Sequence, residues 1–310
     1  MALKSLKGFL LAAGAAAAYG TNPIFAVPLY DGGMNPASVL LFRYVLSVPV
    51  LAAIMMARGI SFRLSRDEIG PSFILGIFMA LSSLGLFASY EYLNPGVAST
   101  LLFVYPIMVA VMMIFFYHEK FRVSTALCLA IMSVGLLMLM KPSGGEPISM
   151  YGVLLVMLSS LTYAIYIIMV NVSKPIRAIP TTKLLFYTIT WGCLLFIGMI
   201  AAGSELTLPA QSSGWLNLVA LAVIPTVLSL FCTTRAIQLI GSTPTAIFGA
   251  LEPVTAVVLS FFILGQAVTP KEMLGGLLII VATTIVVADK SVDRMILHVR
   301  KMFPKIHLRK

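Results

Sequence analysis

The chain has 310 residues, 60% of them hydrophobic and 10% charged, with a mean hydropathy of +1.02 and a formal net charge of +10. A soluble globular domain carries roughly 25% charged residues, so the composition excludes a water-soluble domain, a disordered chain and a disulfide scaffold, and it points to an integral membrane protein. Cys128, Cys193 and Cys232 lie in apolar runs with no CxxC spacing and no neighbouring His, which indicates neither disulfides nor zinc.

A helix that crosses the hydrocarbon core needs ~20 apolar residues. Ten segments qualify in chain order: 6–29, 37–57, 70–90, 96–117, 122–140, 149–171, 182–203, 214–237, 243–265 and 272–288. The expected class is therefore an all-α integral membrane protein with ten transmembrane helices. Lys4 and Lys7 ahead of the run ending in Ala15 to Ala18 also fit a secretory signal peptide, but this segment has a counterpart in mid-chain, which argues for a span. The turn sequences Asn94-Pro95-Gly96 and Gly241-Ser242-Thr243-Pro244 make spans 3 and 4, and spans 8 and 9, antiparallel neighbours.

Lys and Arg favour cytoplasmic loops. On one side of the predicted topology lie Lys4, Lys7, Arg58, Arg63, Arg66, Lys120, Arg122, Lys174, Arg177, Lys183 and seven basic residues of the tail, whereas the other side carries Lys141 and Lys271. Both termini are expected in the cytoplasm, with the protein multi-pass in the cytoplasmic membrane. The positive charge is thus a topology signal, and nucleic acid is not an expected partner.

The chain matches itself in two frames. At an offset of 144, Gly8, Leu10, Leu11 and Tyr19 meet Gly152, Leu154, Leu155 and Tyr163; at 147, Pro106, Val111 and Phe115 meet Pro253, Val258 and Phe262. Ten spans divide into five plus five, and because five is odd the second half enters the membrane inverted. The expected units are 1–145, 146–289 and a basic cytoplasmic tail, 290–310. Inverted repeats are a usual construction of secondary transporters, with the substrate at the interface of the repeats near mid-membrane.

Leu251-Glu252-Pro253, then Phe261-Phe262-Ile263-Leu264-Gly265-Gln266 and Gly275-Gly276-Leu277-Leu278-Ile279, echoed by Tyr105-Pro106, Glu119 and Gly135, resemble the EamA-type transporters of the drug/metabolite transporter superfamily. Gln266 departs from the Glu that the family often has there. The resemblance implies an exporter of amino acids or related small metabolites working by alternating access. A sugar-phosphate or nucleotide-sugar antiporter of the same superfamily would call for paired basic residues in the late helices, where Arg235 stands alone. A non-transporting membrane scaffold would leave the matched prolines of the two halves unexplained.

An ionisable group at mid-membrane costs roughly 2.5–3.5 kcal/mol on insertion scales, so it faces a cavity or a partner. Glu252, directly before Pro253, can bind an amine, carry a proton or pin two helices together. Arg43 can clamp a substrate carboxylate, or snorkel toward the outer interface. Arg235 fits snorkelling, and Glu91 between Tyr90 and Tyr92 fits an interfacial belt. Tyr19 and Asn22 (before Pro23), with Tyr105, Tyr163 and Trp191, offer ring faces and hydrogen bonds within spans, either to a substrate or between helices. The expected cavity lies among spans 1–4 and 6–9, with Pro106 and Pro253 kinking the matched helices and Pro23, Pro28, Pro49 and Pro225 kinking others.

His118, His298 and His307 fall at cytoplasmic edges or in the tail, and no HExxH or GxSxG occurs, so neither an enzyme, a cofactor nor a metal is expected. The tail combines its seven basic residues with Met295, Ile296, Val299, Met302 and Phe303 at helical spacing, which fits a segment on anionic lipid. The expected partners are a small-molecule substrate and membrane lipids.

Overall fold

The computed structural model describes residues 2–89, 92–93, 95–120, 122–139, 149–203, 205–264 and 269–302. Glu91, Lys141, Gln266 and the end of the tail from residue 303 lie outside the described residues. The described chain is all helix and turn. In order come α1 (Ala2–Gly20), α2 (Asn22–Asp31), α3 (Pro36–Ala57), α4 (Arg66–Ser89), α5 (Pro95–Leu102), α6 (Tyr105–Tyr117), α7 (Val123–Leu139) and α8 (Met150–Val172). There follow α9 (Lys174–Ala178), α10 (Thr181–Ala201), α11 (Ser212–Leu221), a π-helical stretch Ala222–Leu228, α12 (Ser229–Ile240), α13 (Ser242–Gly249), α14 (Leu251–Leu264) and α15 (Pro270–Met302).

Among the described residues eight helical segments are long and apolar enough to cross a membrane, and Val123–Leu139 is a shorter apolar helix. The protein is an all-α integral membrane protein. The segment expected as the tenth span forms the first part of α15, which continues unbroken to Met302. The tail's helix therefore prolongs that span, and does not begin as a separate element.

Lipid offers no hydrophobic drive between helices, so close backbone approach decides which of them pair. α1 lies along α12, α4 along α8 and α10, α3 along α10, and α7 along α15. The last pair is tightest at its two glycines. A Cβ on Gly135 would stand 2.8 Å from the Gly275 carbonyl oxygen, and one on Gly275 would stand 2.7 Å from that of Gly135. The large apolar residues Phe115, Phe116, Phe262 and Leu277 are exposed, as a lipid-facing surface requires.

Polar ties fix the ends. At one end Asn35 caps α3 by accepting from the Ser38 amide at 2.8 Å, while its own side-chain amide donates to the Glu205 carbonyl at 2.8 Å. At the other, Lys183 pairs with Glu68 at 3.3 Å and donates to the Arg63 carbonyl.

Candidate substrate site

The site begins with prolines. Proline supplies no N–H to the carbonyl four residues earlier and its ring crowds that turn. Ahead of Pro106 the helix breaks at Phe103-Val104, between α5 and α6; ahead of Pro253 it breaks at Ala250, between α13 and α14. Ahead of Pro23, Thr21 separates α1 from α2. Pro225 produces the π-helical stretch, whereas Pro28 and Pro49 sit inside α2 and α3 without ending either. The freed carbonyls find hydroxyls: Leu102 accepts from Ser160 at 3.0 Å and Leu221 accepts from Thr226 at 2.8 Å.

The two matched breaks meet. The buried Tyr105 reaches from the start of α6 to the end of α13, where its hydroxyl donates to the Ala246 carbonyl at 3.3 Å. That hydroxyl rests on Gly249, where a Cβ would lie 1.7 Å from it, so no side chain fits there. The Tyr105 ring meets Tyr163 of α8 edge-on at 4.8 Å, and Tyr163 stacks on Tyr166 at 6.0 Å.

One turn beyond Gly249, Glu252 is half-buried at the start of α14. Among the described residues nothing hydrogen-bonds or ion-pairs its carboxylate, one oxygen of which lies 3.9 Å from where a Cβ on Gly249 would stand. The backbone at this point is wedged against α1, since a Cβ on Gly20 would stand 2.7 Å from the Glu252 carbonyl oxygen.

Arg43 is 4% exposed, so it does not snorkel. Its Nε donates to the Thr226 hydroxyl, one terminal nitrogen to the Asn22 side-chain oxygen at 3.5 Å, and the other to the Pro225 carbonyl at 3.3 Å. Its guanidinium lies 5.3 Å from the Tyr19 ring centroid. Next to it, Ser47 donates to the Ala222 carbonyl at 3.2 Å. The irregular backbone around Pro225 is thus held by α3 side chains. The arrangement places one unpartnered carboxylate, one buried guanidinium with three hydrogen bonds and three tyrosines at the junction of interrupted helices.

The profile of the EamA-like transporter family matches the sequence twice, over residues 6–141 and 150–288. The chain belongs to the EamA-like transporter family. With that family it falls in the drug/metabolite transporter superfamily. An uncharacterized transporter of Bacillus subtilis (strain 168), YdfC, is 26% identical over 246 residues, 79% of this EamA-like chain and 79% of that protein. An uncharacterized transporter of Archaeoglobus fulgidus is 23% identical over 212 residues, 68% of this chain and 74% of that protein. One crystal structure shares the fold at a TM-score of 0.77 and 17% identity, covering 90% of this chain and 96% of that one.

Not every candidate joins the cluster of this EamA-like chain. Trp191 stands apart, its indole donating to Ser72 at 3.4 Å and meeting Phe73 edge-on at 5.5 Å where α10 crosses α4. Arg235 donates to Gln238 at 2.8 Å. Glu119, after α6, accepts from Thr243 at the start of α13 at 3.0 Å. A cavity of about 230 Å³ opens beside that bond, lined by Glu119, Arg122, Thr125, Thr243 and Ile247 among others, and none of the tyrosines or Glu252 lines it. Sequence reading missed Thr226 and Ser160. Their signal was a hydroxyl beside, or within reach of, a carbonyl that a proline deprives of its donor.

Proposed function

We propose that this protein is a secondary transporter that moves amino acids or related small organic metabolites outward across the cytoplasmic membrane, by alternating access between two inverted five-helix halves, with both termini in the cytoplasm. One observation carries the reading: the matched helix breaks meet at Tyr105 and Gly249 beside the unpartnered Glu252, and the broken helices pack on each other mainly on one side. α6 and α13, on the side of Glu119 and Thr243, pack together, whereas α5 leans on α8 and α14 leans on α1. Packing that is tighter toward the basic end than toward the other supports a cycle in which the two ends open in turn.

The packing also supports the duplication. Exchanging each span of residues 1–145 for its counterpart in 146–289 turns the α1–α12 contact into the α4–α8 contact, and leaves the α3–α10 and α7–α15 contacts unchanged. The two separate family matches agree with this division. Interrupted helices in corresponding positions of two halves are where transporters place their substrate.

The test is counterflow of radiolabelled amino acids and related metabolites into proteoliposomes, using a variant without native cysteines that carries Glu119→Cys and Thr243→Cys. Cross-linking the pair with a short thiol-specific reagent locks α6 to α13. Exchange is expected before cross-linking, to stop when the link forms, and to return when it is cleaved. Undiminished exchange by the linked protein would refute alternation at this contact.

A further inference from the structure

Two ionisable side chains sit among the interrupted helices, and their surroundings differ. Arg43 is 4% exposed, both of its terminal nitrogens and Nε already donate, and the Tyr19 ring lies against its guanidinium. Three of its five N–H groups are engaged, and with the side chain this buried the other two open to a ligand carboxylate only if Thr226, Asn22 or the Pro225 carbonyl gives way. Leaving such a buried partner unsatisfied costs roughly 1–3 kcal/mol, which works against binding there. Glu252 is the opposite: half-buried, with no hydrogen bond and no ion pair among the described residues.

Around Glu252 the polar groups still open to a ligand are phenols. Tyr19 and Tyr163 are both half-buried, and no hydrogen bond is made by either hydroxyl among the described residues. The Tyr105 hydroxyl and a Glu252 carboxylate oxygen both approach Gly249, 1.7 and 3.9 Å from where its Cβ would stand; the Tyr105 ring meets Tyr163 at 4.8 Å, and Tyr19 adjoins Gly20, whose Cβ would lie 2.7 Å from the Glu252 carbonyl oxygen. Aromatic faces attract cations and reject anions, and phenol oxygens accept hydrogen bonds from an ammonium group. A carboxylate without a partner at membrane depth is costly unless it takes up a proton or a positive charge stands beside it.

We propose that this site selects a substrate carrying a protonated amine and no carboxylate, with Glu252 as its counter-ion, the half-buried Tyr19 and Tyr163 as its walls, and the buried Arg43 and Tyr105 as structural clamps. The proposal rests on the transporter reading and narrows it: among small metabolites it favours the amines over the amino acids.

The test uses the purified full chain in detergent and two probes that differ by one carboxylate, phenethylamine and phenylalanine. A hydrophobic carbodiimide modifies accessible carboxyl groups in membrane segments, and peptide mass mapping reports the fraction of Glu252 modified. Phenethylamine at millimolar concentration is expected to slow modification of Glu252 at least several-fold, and phenylalanine at the same concentration to leave the rate unchanged. Protection by phenylalanine equal to or greater than that by the amine overturns the proposal, as does protection by neither. Counterflow of both probes, run in parallel, separates this from the transport reading. An amine that protects without being exchanged sinks transport of that substrate and leaves the site assignment standing, whereas exchange of phenylalanine with protection does the reverse.

Discussion

Gly249→Ala isolates the contact that joins the two broken helices. The added methyl would stand 1.7 Å from the Tyr105 hydroxyl oxygen and 3.1 Å from its ring carbon Cζ, while the next atom, a Glu252 carboxylate oxygen, is 3.9 Å away. The clash is therefore with one oxygen atom. To relieve it Tyr105 must leave its place, giving up its bond to Ala246 and its edge-on contact with Tyr163. Overpacking of this kind costs about 1–3 kcal/mol, set against a gain of roughly 0.5–1 kcal/mol when Ala replaces Gly in a helix. These two figures leave a net loss of between about zero and 2.5 kcal/mol. Tyr105→Phe removes the offending oxygen and leaves Cζ at 3.1 Å, a gap that a few tenths of an ångström of adjustment can absorb. Combined with Tyr105→Phe, Gly249→Ala is expected to be neutral or stabilising, so the pair should show a coupling of about 1–3 kcal/mol. The assay is thermal unfolding of detergent-solubilised wild type, both single variants and the double variant, followed by tryptophan fluorescence. If Gly249→Ala lowers the midpoint equally with and without Tyr105→Phe, the close approach of α6 and α13 at this point is not as described.

Arg43→Met removes the guanidinium donors that hold the π-helical stretch, and is expected to destabilise the solubilised protein by roughly 1–3 kcal/mol, the cost of leaving buried acceptors without their donor; Arg43→Lys should recover only part of this, because an ammonium cannot reproduce the fork that reaches Thr226, Asn22 and the Pro225 carbonyl. Thermal midpoints of the two variants check the order. Gly135→Val and Gly275→Val each drive a branched side chain into the opposing backbone oxygen, and should prise α7 from α15. The expected readout is faster proteolysis of the last helix in solubilised protein, with wild-type rates counting against the interlock. Ser160→Ala leaves the Leu102 carbonyl without its donor at the α5–α6 break, at a cost of about 1–3 kcal/mol in thermal stability. Indifference there would mean that the break satisfies itself by other means.

Proline position tells where a membrane helix can be interrupted, and it did so here at Pro106, Pro253 and Pro23. It does not tell which prolines will interrupt. Pro28 and Pro49 lack the N–H just as Pro106 does, yet α2 and α3 run through them. Where a neighbour supplies a donor, as Ser160 does for Leu102 and Thr226 does for Leu221, the break or π-turn acquires a fixed geometry. Those donors lie 58 and five residues away in sequence, so the first is invisible to any local pattern and the second is legible only beside Pro225.

The same reasoning separates the two charges. Glu252 and Arg43 were equal candidates in the sequence, since each is an isolated ionisable residue within an apolar run, and hydropathy prices both alike. What distinguishes them is the state of their neighbours. α3 carries Arg43 against a stretch whose backbone has carbonyls to spare, so the guanidinium is consumed by the fold. Glu252 stands at the first turn of α14, where the preceding break leaves it facing tyrosines of α6 and α8 and no donor that closes on it. A membrane protein keeps an unpaired carboxylate at that depth only if something mobile completes it, and that requirement, more than the presence of a charge, marks Glu252 as the residue on which a substrate or a proton can act.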